Sequence, residues 1–301
     1  MSSHLAGKVS LVKCTYWGSL ALLLSLLVTV LHPSWSRHSY YDYGWVVIPL
    51  TLWFLIRRWQ RPVEQFNPSR SPRWLLLTSV ALSLSLLVLH AVHQVDLYWR
   101  QPLWLIAGVS LLLFYSVVSA VEGKQRALTL LPAGLFLLTA VPLPTVLETS
   151  LVQGLTALVV EVSHFLLLLG GILVERTGNL LNANGTPVDV ADGCSGIRSL
   201  QSTLMAAFAL GELFAAGMTV RIILPVAAVA IAFIGNSLRI IALGWIAAKD
   251  GLEAVEAAHD PLGFATATFV YGVLALVAWP LSSDRLSSRR RRIIRTEGGT
   301  K

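Results

Sequence analysis

RIILPVAAVAIAFIGNSLRIIALGWIAA, Arg221 to Ala248, is apolar almost throughout, and between its ends Arg239 is the single charged residue. About 20 such residues cross a bilayer as one helix, because the hydrocarbon layer holds no water to serve an open backbone. Working outward, runs of similar character recur at Tyr16–Leu31, Trp45–Ile56, Trp74–Val92, Leu103–Val121, Ala127–Val141, Leu151–Val174, Ile197–Phe214 and Gly263–Leu281. Of 301 residues, 55% are apolar and 13% charged. The expected fold class is therefore an all-α polytopic membrane protein. The longest polar stretches, Arg57–Arg73 and Ser282–Lys301, are too short to bury a core of their own. One transmembrane domain over residues 1–285 is expected, its site-bearing part at about 151–265, followed by a basic cytoplasmic tail over 286–301.

Charge sets an expected orientation. Arg57, Arg58, Arg61, Arg70 and Arg73 crowd one loop, Lys124 and Arg126 another, and Arg289 to Arg292 the C-terminal segment. Basic segments flanking spans stay cytoplasmic. The net charge of +7 thus reports orientation and contact with the lipid bilayer, and nucleic acid is not an expected partner. These placements demand an even number of crossings, whereas nine runs qualify. Leu151–Val174 is the expected exception: at 100° per residue, Gln153, Thr156, Glu161, Ser163 and His164 fall within roughly half the circumference. That pattern suits an amphipathic helix lying in the interface or lining a cavity. About eight transmembrane helices remain, with both termini cytoplasmic and with Glu175–Gly193 and Ala248–Gly263 on the outer face of a prokaryotic cell membrane.

Local signals refine this frame. Asn184-Gly185 is a two-residue hairpin turn with Val188 and Val190 alternating after it, so a small extracytoplasmic hairpin should lead into Cys194. Pro49 and Pro132 interrupt short spans and need neighbouring helices to serve the carbonyls they free. Lys8 and Lys13 ahead of Tyr16–Leu31 imitate a signal peptide, but His32-Pro33-Ser34-Trp35 replaces a small-residue cleavage site. An uncleaved first span is expected. Cys14 and Cys194 are the two cysteines, and both are expected as free thiols.

Three polar groups then converge on the outer face. Cys194 stands in Ala191-Asp-Gly-Cys-Ser-Gly-Ile-Arg-Ser-Leu200, between glycines and just ahead of a helix. There backbone N–H groups and a helix N-terminus favour a thiolate. Arg239 costs about 2.5–3.5 kcal/mol in an apolar helix unless it is paired or reaches water, and Asn236 shares its face. His259 ends Asp250-Gly-Leu-Glu-Ala-Val-Glu-Ala-Ala-His, where Asp250 and Glu253 read as a helix N-cap and its partner, and Pro261 as a stop. Glu256 and Asp260 lie near enough in sequence to orient the ring. Ser195 and Arg198 flank the thiol, Arg198 as a candidate for a substrate carboxylate or a lipid phosphate. Glu161 and His164 are candidates to line the same site. His90, His93 and Asp96 lack the further ligands a metal centre needs, so no metal and no cofactor is expected.

VADGCSGIRSL (Val190–Leu200), GNSLRI (Gly235–Ile240) and AHD (Ala258–Asp260), in that order, resemble the exosortase/archaeosortase family of integral membrane cysteine proteases. The Tyr-rich turn leading from His38 to Leu50 also looks like that family's first outer loop. The likeness is most specific from Gly178 to Asp260. It implies a Cys/Arg/His site, which maps here to Cys194, Arg239 and His259. It also implies a substrate class: exported proteins bearing a C-terminal sorting signal made of a short motif, a transmembrane helix and a basic tail, often of the Pro-Glu-Pro type. The implied reaction is peptide cleavage or transpeptidation through a thioester, released to water or to an acceptor in the cell envelope. Two other readings stay open: a transporter or channel in which Glu161, His164 and Arg239 line a polar path, and a non-catalytic membrane scaffold.

Overall fold

The computed structural model describes residues 2–37, 41–63, 73–97, 99–190, 197–214 and 217–281, in two compact units spanning 1–144 and 145–301. The first unit runs α1 (Ser2–Arg37), α2 (Gly44–Trp59), α3 (Arg73–Val95), α4 (Gln101–Glu122) and α5 (Lys124–Leu137), with a 3-10 turn at Leu138–Ala140. The second holds α6 (Thr145–Leu169), β1 (Val174–Thr177), β2 (Leu180–Ala183), β3 (Thr186–Asp189), α7 (Ile197–Leu213), α8 (Met218–Asp250) and α9 (Leu252–Ala278), closed by a 3-10 turn at Trp279–Leu281. Among the described residues, six helical stretches are long and apolar enough to cross a membrane: Leu20–Arg37, Leu77–Val95, Gln101–Glu122, Thr145–Leu169, Met218–Asp250 and Leu252–Leu281. The shorter α2, α5 and α7 have 16, 14 and 17 residues. The chain is an all-α polytopic membrane protein, with one small sheet among the described residues.

In the first unit, aromatic and basic side chains serve carbonyls that the helices leave open. Arg58 Nη1 donates to Thr129 O at 2.6 Å, and Tyr115 Oη to Leu130 O and Leu131 O at 3.1 and 3.2 Å. These are carbonyls in the turn before Pro132, where the ring disrupts the ladder. The carbonyl that Pro132 itself strips of its helical partner is that of Leu128, four residues back, and these bonds brace the turn beside it. Beyond α5, Trp35 Nε1 donates to Ala140 O, Tyr43 Oη to Thr139 O and Trp104 Nε1 to Pro142 O, at 2.8, 3.1 and 2.8 Å. Tyr41 Oη accepts from Leu143 N–H at 3.1 Å. The Tyr-rich turn is thus a structural clamp on the segment that leaves the unit. Gly44 is required here, because a Cβ on it would meet the Trp35 ring at 2.3 Å.

Helix α6 departs from the sequence expectation. Thr156 and Ser163 do not join an exposed polar face; they are buried in one stripe with Val152, Val159, Val160 and Leu167. Gln153 and Glu161 are exposed on the other side. The wheel counted small hydroxyls as polar, yet their groups are short enough to sit among helices. At 25 residues, with a mean hydropathy of 1.8 over its most apolar 18-residue stretch, α6 has the length and apolarity of a span.

The expected hairpin is one half of a three-stranded antiparallel meander in the order β1-β2-β3. Ala183 pairs with Thr186 across Asn184-Gly185, whose φ angles of 52° and 90° are the left-handed values this turn requires. A second tight turn at Gly178, φ 63°, joins β1 to β2. Val174, Leu181, Ala183, Val188 and Val190 form the buried face, in one cluster with Val159, Val160 and Leu167 of α6, Ile240, Leu243 and Ala247 of α8 and Val255 of α9. Each large side chain in such a cluster contributes about 1.5–3 kcal/mol. Asn184 Nδ2 donates to Ala248 O at 3.3 Å, serving a carbonyl in the last turn of α8 that the helix itself leaves open.

Two further expectations are corrected at the α8–α9 junction. Asp250 is the last residue of α8, and the turn is Gly251 alone, φ 78°. The expected short helix is present from Leu252, but it does not stop, because Pro261 lies inside α9. Proline removes one helical hydrogen bond, to the carbonyl of Ala257. That residue is exposed, so water replaces the bond and the apolar helix continues past it.

Small residues let the helices close up. A Cβ on Gly235 would lie 2.5 Å from Val270 Cγ2, and one on Gly244 would lie 2.6 Å from Leu167 Cδ1. Gly235→Ala should therefore force α8 and α9 apart and destabilise the protein by about 1–3 kcal/mol. The check is the thermal midpoint of the detergent-solubilised protein. It should fall with Gly235→Ala and recover with Val270→Ala added; an unchanged midpoint would mean that α9 yields without cost.

Candidate active site

Arg239 projects from α8 toward α9 and meets His259. Its Nη2 lies 3.0 Å from His259 Nε2 and donates to His259 O at 3.3 Å. A guanidinium can only donate, so Nε2 is the acceptor and the imidazole carries its proton on Nδ1. That proton faces Asp260 Oδ1 at 2.9 Å. The three residues thus form a directed chain from carboxylate to imidazole to guanidinium. The His259 side chain is 43% exposed and that of Asp260 97%, so the Asp260 contact orients the ring more than it stabilises the fold. A Cβ on Gly263 would come within 3.3 Å of Arg239 Nη2, which explains a small residue one turn beyond His259.

The depth of this cluster follows from the meander. Its exposed residues Glu175, Arg176, Asn179 and Asn184 and its open edges cannot sit in hydrocarbon. The meander packs on Leu243 and Ala247 of α8, so this end of α8 stands outside the lipid. At 33 residues α8 is about 50 Å long, against roughly 30 Å of hydrocarbon. Arg239, one turn before Leu243, therefore falls at the edge of the hydrocarbon layer. This is the depth at which a guanidinium reaches polar partners cheaply.

The remaining sequence candidates divide. Asn236 is buried, one turn before Arg239, and lines a small cavity with Leu155, Val159, Leu200, Val229, Ala232 and Phe233. Glu161 approaches Arg176 of β1 at 3.8 Å. His164 Nε2 lies 3.1 Å from Val174 O. Both are drawn to the meander, and no described polar contact joins either to Arg239. Arg198 is the second residue of α7. Cys194 and Ser195 lie outside the described residues.

Some contacts escaped the sequence reading. Arg221 of α8 forms an ion pair with the buried Glu212 of α7. Their nine-residue separation across a helix turn was the available signal. Ser163 Oγ donates to Ser237 O at 3.4 Å, tying α6 to the turn that carries Arg239. Among the described residues no group of three metal-ligating side chains occurs.

The family model described as transmembrane exosortase matches residues 35–278. The chain belongs to the transmembrane exosortase family. The match takes in both units, including the Tyr-rich turn and every candidate site residue. A search of curated proteins and a search of solved structures each gave no match. As an exosortase, the chain is a multi-pass membrane protein of sorting-signal processing, in a family that is generally one of cysteine peptidases and transpeptidases.

Proposed function

We propose that this exosortase cleaves the C-terminal sorting signals of exported, membrane-anchored proteins by acyl transfer to Cys194. The observation that carries the reading is the Asp260–His259–Arg239 chain at the hydrocarbon edge. It offers a general base with its orienting carboxylate, as a thiol protease requires. The chain on both sides of Cys194 supports the same reading. Val190, four residues before it, is buried in one cluster with Ile240 and Val255, which adjoin Arg239 and precede His259 by one turn. Leu200, six residues after it, shares the small cavity with Asn236. Four extended residues reach at most about 14 Å, a span compatible with the proposed meeting of thiol and pair.

The substrate's single helix docks in the bilayer, which sets its scissile bond at the membrane surface, level with Arg239. Arg239 Nη2 swings from His259 Nε2 toward the oxyanion, which frees the Nε2 lone pair to take the Cys194 proton as sulfur attacks the carbonyl carbon. Arg239 and a backbone N–H beside Cys194 hold the oxyanion. Arg239 Nε is buried with no hydrogen-bond partner among the described residues. An unsatisfied buried donor costs about 1–3 kcal/mol, which an incoming oxyanion would recover. The C–N bond then breaks, His259 returns the proton to the leaving amine, and a thioester remains on Cys194. Water or an envelope nucleophile attacks it, His259 accepts that nucleophile's proton, and the proton returns to sulfur. Asp260 holds the imidazole throughout. Asn236 steadies the α8 turn, while Ser195 and Arg198 flank the nucleophile.

The test is co-expression of the full chain with candidate C-terminally anchored proteins, comparing their processing with intact enzyme and with Cys194→Ala. Solute flux that persists without the thiol would favour a transporter instead. Orientation has its own check. Thr186→Cys in a Cys14→Ser, Cys194→Ser background should react with a membrane-impermeant maleimide in intact cells, because the meander faces outward. Labelling only after lysis would place the site in the cytoplasm.

A further inference from the structure

Strand β3 lies at one edge of the meander, and its register fixes which backbone groups face which way. Val190 N–H donates to Asn179 O at 3.2 Å, and Val188 and Thr186 pair with Leu181 and Ala183. Residues 186, 188 and 190 therefore turn their backbone groups toward β2, while Pro187 and Asp189 turn theirs away. Pro187 has no N–H to lose there, which is where an edge strand tolerates proline. The outward side offers Pro187 C=O together with the N–H and C=O of Asp189. Both residues are exposed, and no partner for these groups occurs among the described residues.

The opposite edge is different. Asn184 N–H donates to Leu173 O at 3.0 Å, so by the same alternation Val174 and Arg176 face outward from β1. His164 of α6 already serves Val174 O. One carbonyl of the β1 edge is thus served by the protein itself, whereas no such bond meets the β3 edge among the described residues, and β3 is the strand that continues toward Cys194.

We propose that the extended segment of the substrate, just before its membrane helix, adds to the meander as a fourth strand along β3. This rests on the protease reading above. The occupant is a peptide backbone because the groups on offer are main-chain groups at strand spacing. It is the substrate's backbone because β3 leads within four residues of Val190 to the proposed nucleophile. Side chains of the added strand alternate between two faces. The residue opposite Asp189 points to solvent, and its neighbours point to the side where Val188 and Val190 are buried. Recognition then reads every second residue of the sorting motif, with main-chain bonds supplying affinity and the helix-side positions supplying selectivity.

The test uses the full chain in membranes with an anchored reporter whose cleavage requires Cys194. Asp189→Pro deletes the outward N–H without removing a bond to β2, whereas Asp189→Asn retains it. Cleavage should slow about tenfold with proline and stay within about twofold of wild type with asparagine. Equal rates for the proline variant and wild type overturn the proposal, and so do equal losses in both variants, which would assign the effect to the carboxylate. A proline scan of the reporter's extended segment gives a readout independent of enzyme folding: losses at alternate positions are expected, and losses without a two-residue period overturn it. Binding is read separately in a Cys194→Ala background, with benzoylphenylalanine at position 187. A photocrosslink to the reporter that disappears with Asp189→Pro is expected; a crosslink between two copies of the chain instead overturns the proposal. Crosslinking without Cys194-dependent cleavage would sink the protease reading and leave strand addition standing.

Discussion

Cys194→Ala should abolish processing of a co-expressed anchored protein, leaving its transmembrane anchor uncut at every expression level of the enzyme. In the proposed mechanism the Cys194 sulfur forms the intermediate, and neither the Arg239–His259 pair nor the meander can substitute for it. Removing the nucleophile of such a unit leaves only the catalysis of binding and oxyanion stabilisation, on the order of 10³–10⁴ over the water reaction. That background is invisible for a peptide bond on a cellular timescale. Cys194→Ser is the sharper comparison, since it keeps size and hydrogen bonding yet lowers nucleophilicity. It should be equally inactive while still capturing substrate. Cleavage that proceeds at the wild-type rate in either variant would show that the thiol has no part in the reaction.

Arg239→Ala should lower the cleavage rate by about 10²–10³-fold with little change in substrate capture, because in the proposed mechanism its charge meets the developing oxyanion. The structure adds a second cost. Arg239 Nη2 donates to both His259 Nε2 and the His259 carbonyl, so its removal also frees the imidazole to turn. Arg239→Lys separates the two contributions. It keeps a cation at the hydrocarbon edge but lacks the planar fork, and it should recover part of the rate. Gel quantification of cut and uncut reporter reads both variants, and equal activity of Arg239→Ala and wild type would confine Arg239 to a helix-bridging role.

Much of this was legible in the sequence, for identifiable reasons. Long apolar runs are nearly unambiguous, because a bilayer tolerates few alternatives to a helix, and Asn184-Gly185 encodes its own turn. Arg239 stood out as the lone charge in its run. What the sequence concealed was tertiary. Pro261 reads as a stop only while the helix is considered alone; packed against α8 with Gly235 and Gly263 at the contact, α9 continues through it and puts His259 on a rigid helix. Thr156 and Ser163 suggested a wet face on α6, but they are buried in its packed stripe. Asp250 looked like a cap, yet Gly251 makes the turn because its φ of 78° suits no other residue as well. Strand β1, Val-Glu-Arg-Thr, carries no clear alternation and becomes a strand through pairing with β2.

The most direct measurement is a pair of engineered crosslinks in a Cys14→Ser background. Native Cys194 is combined with His259→Cys in one variant and with Arg239→Cys in another, each treated in membranes with a short bifunctional thiol reagent. A disulfide between residues 194 and 259 under mild oxidation requires their Cα atoms to approach within about 7 Å, and the reagent tolerates the longer reach from 239. Both pairs should crosslink, faster than a control pairing Cys194 with Phe165→Cys on the exposed side of α6. If the control reacts as fast and neither site pair links, sulfur, imidazole and guanidinium do not share one centre, and this exosortase cuts its substrate, if at all, with other residues.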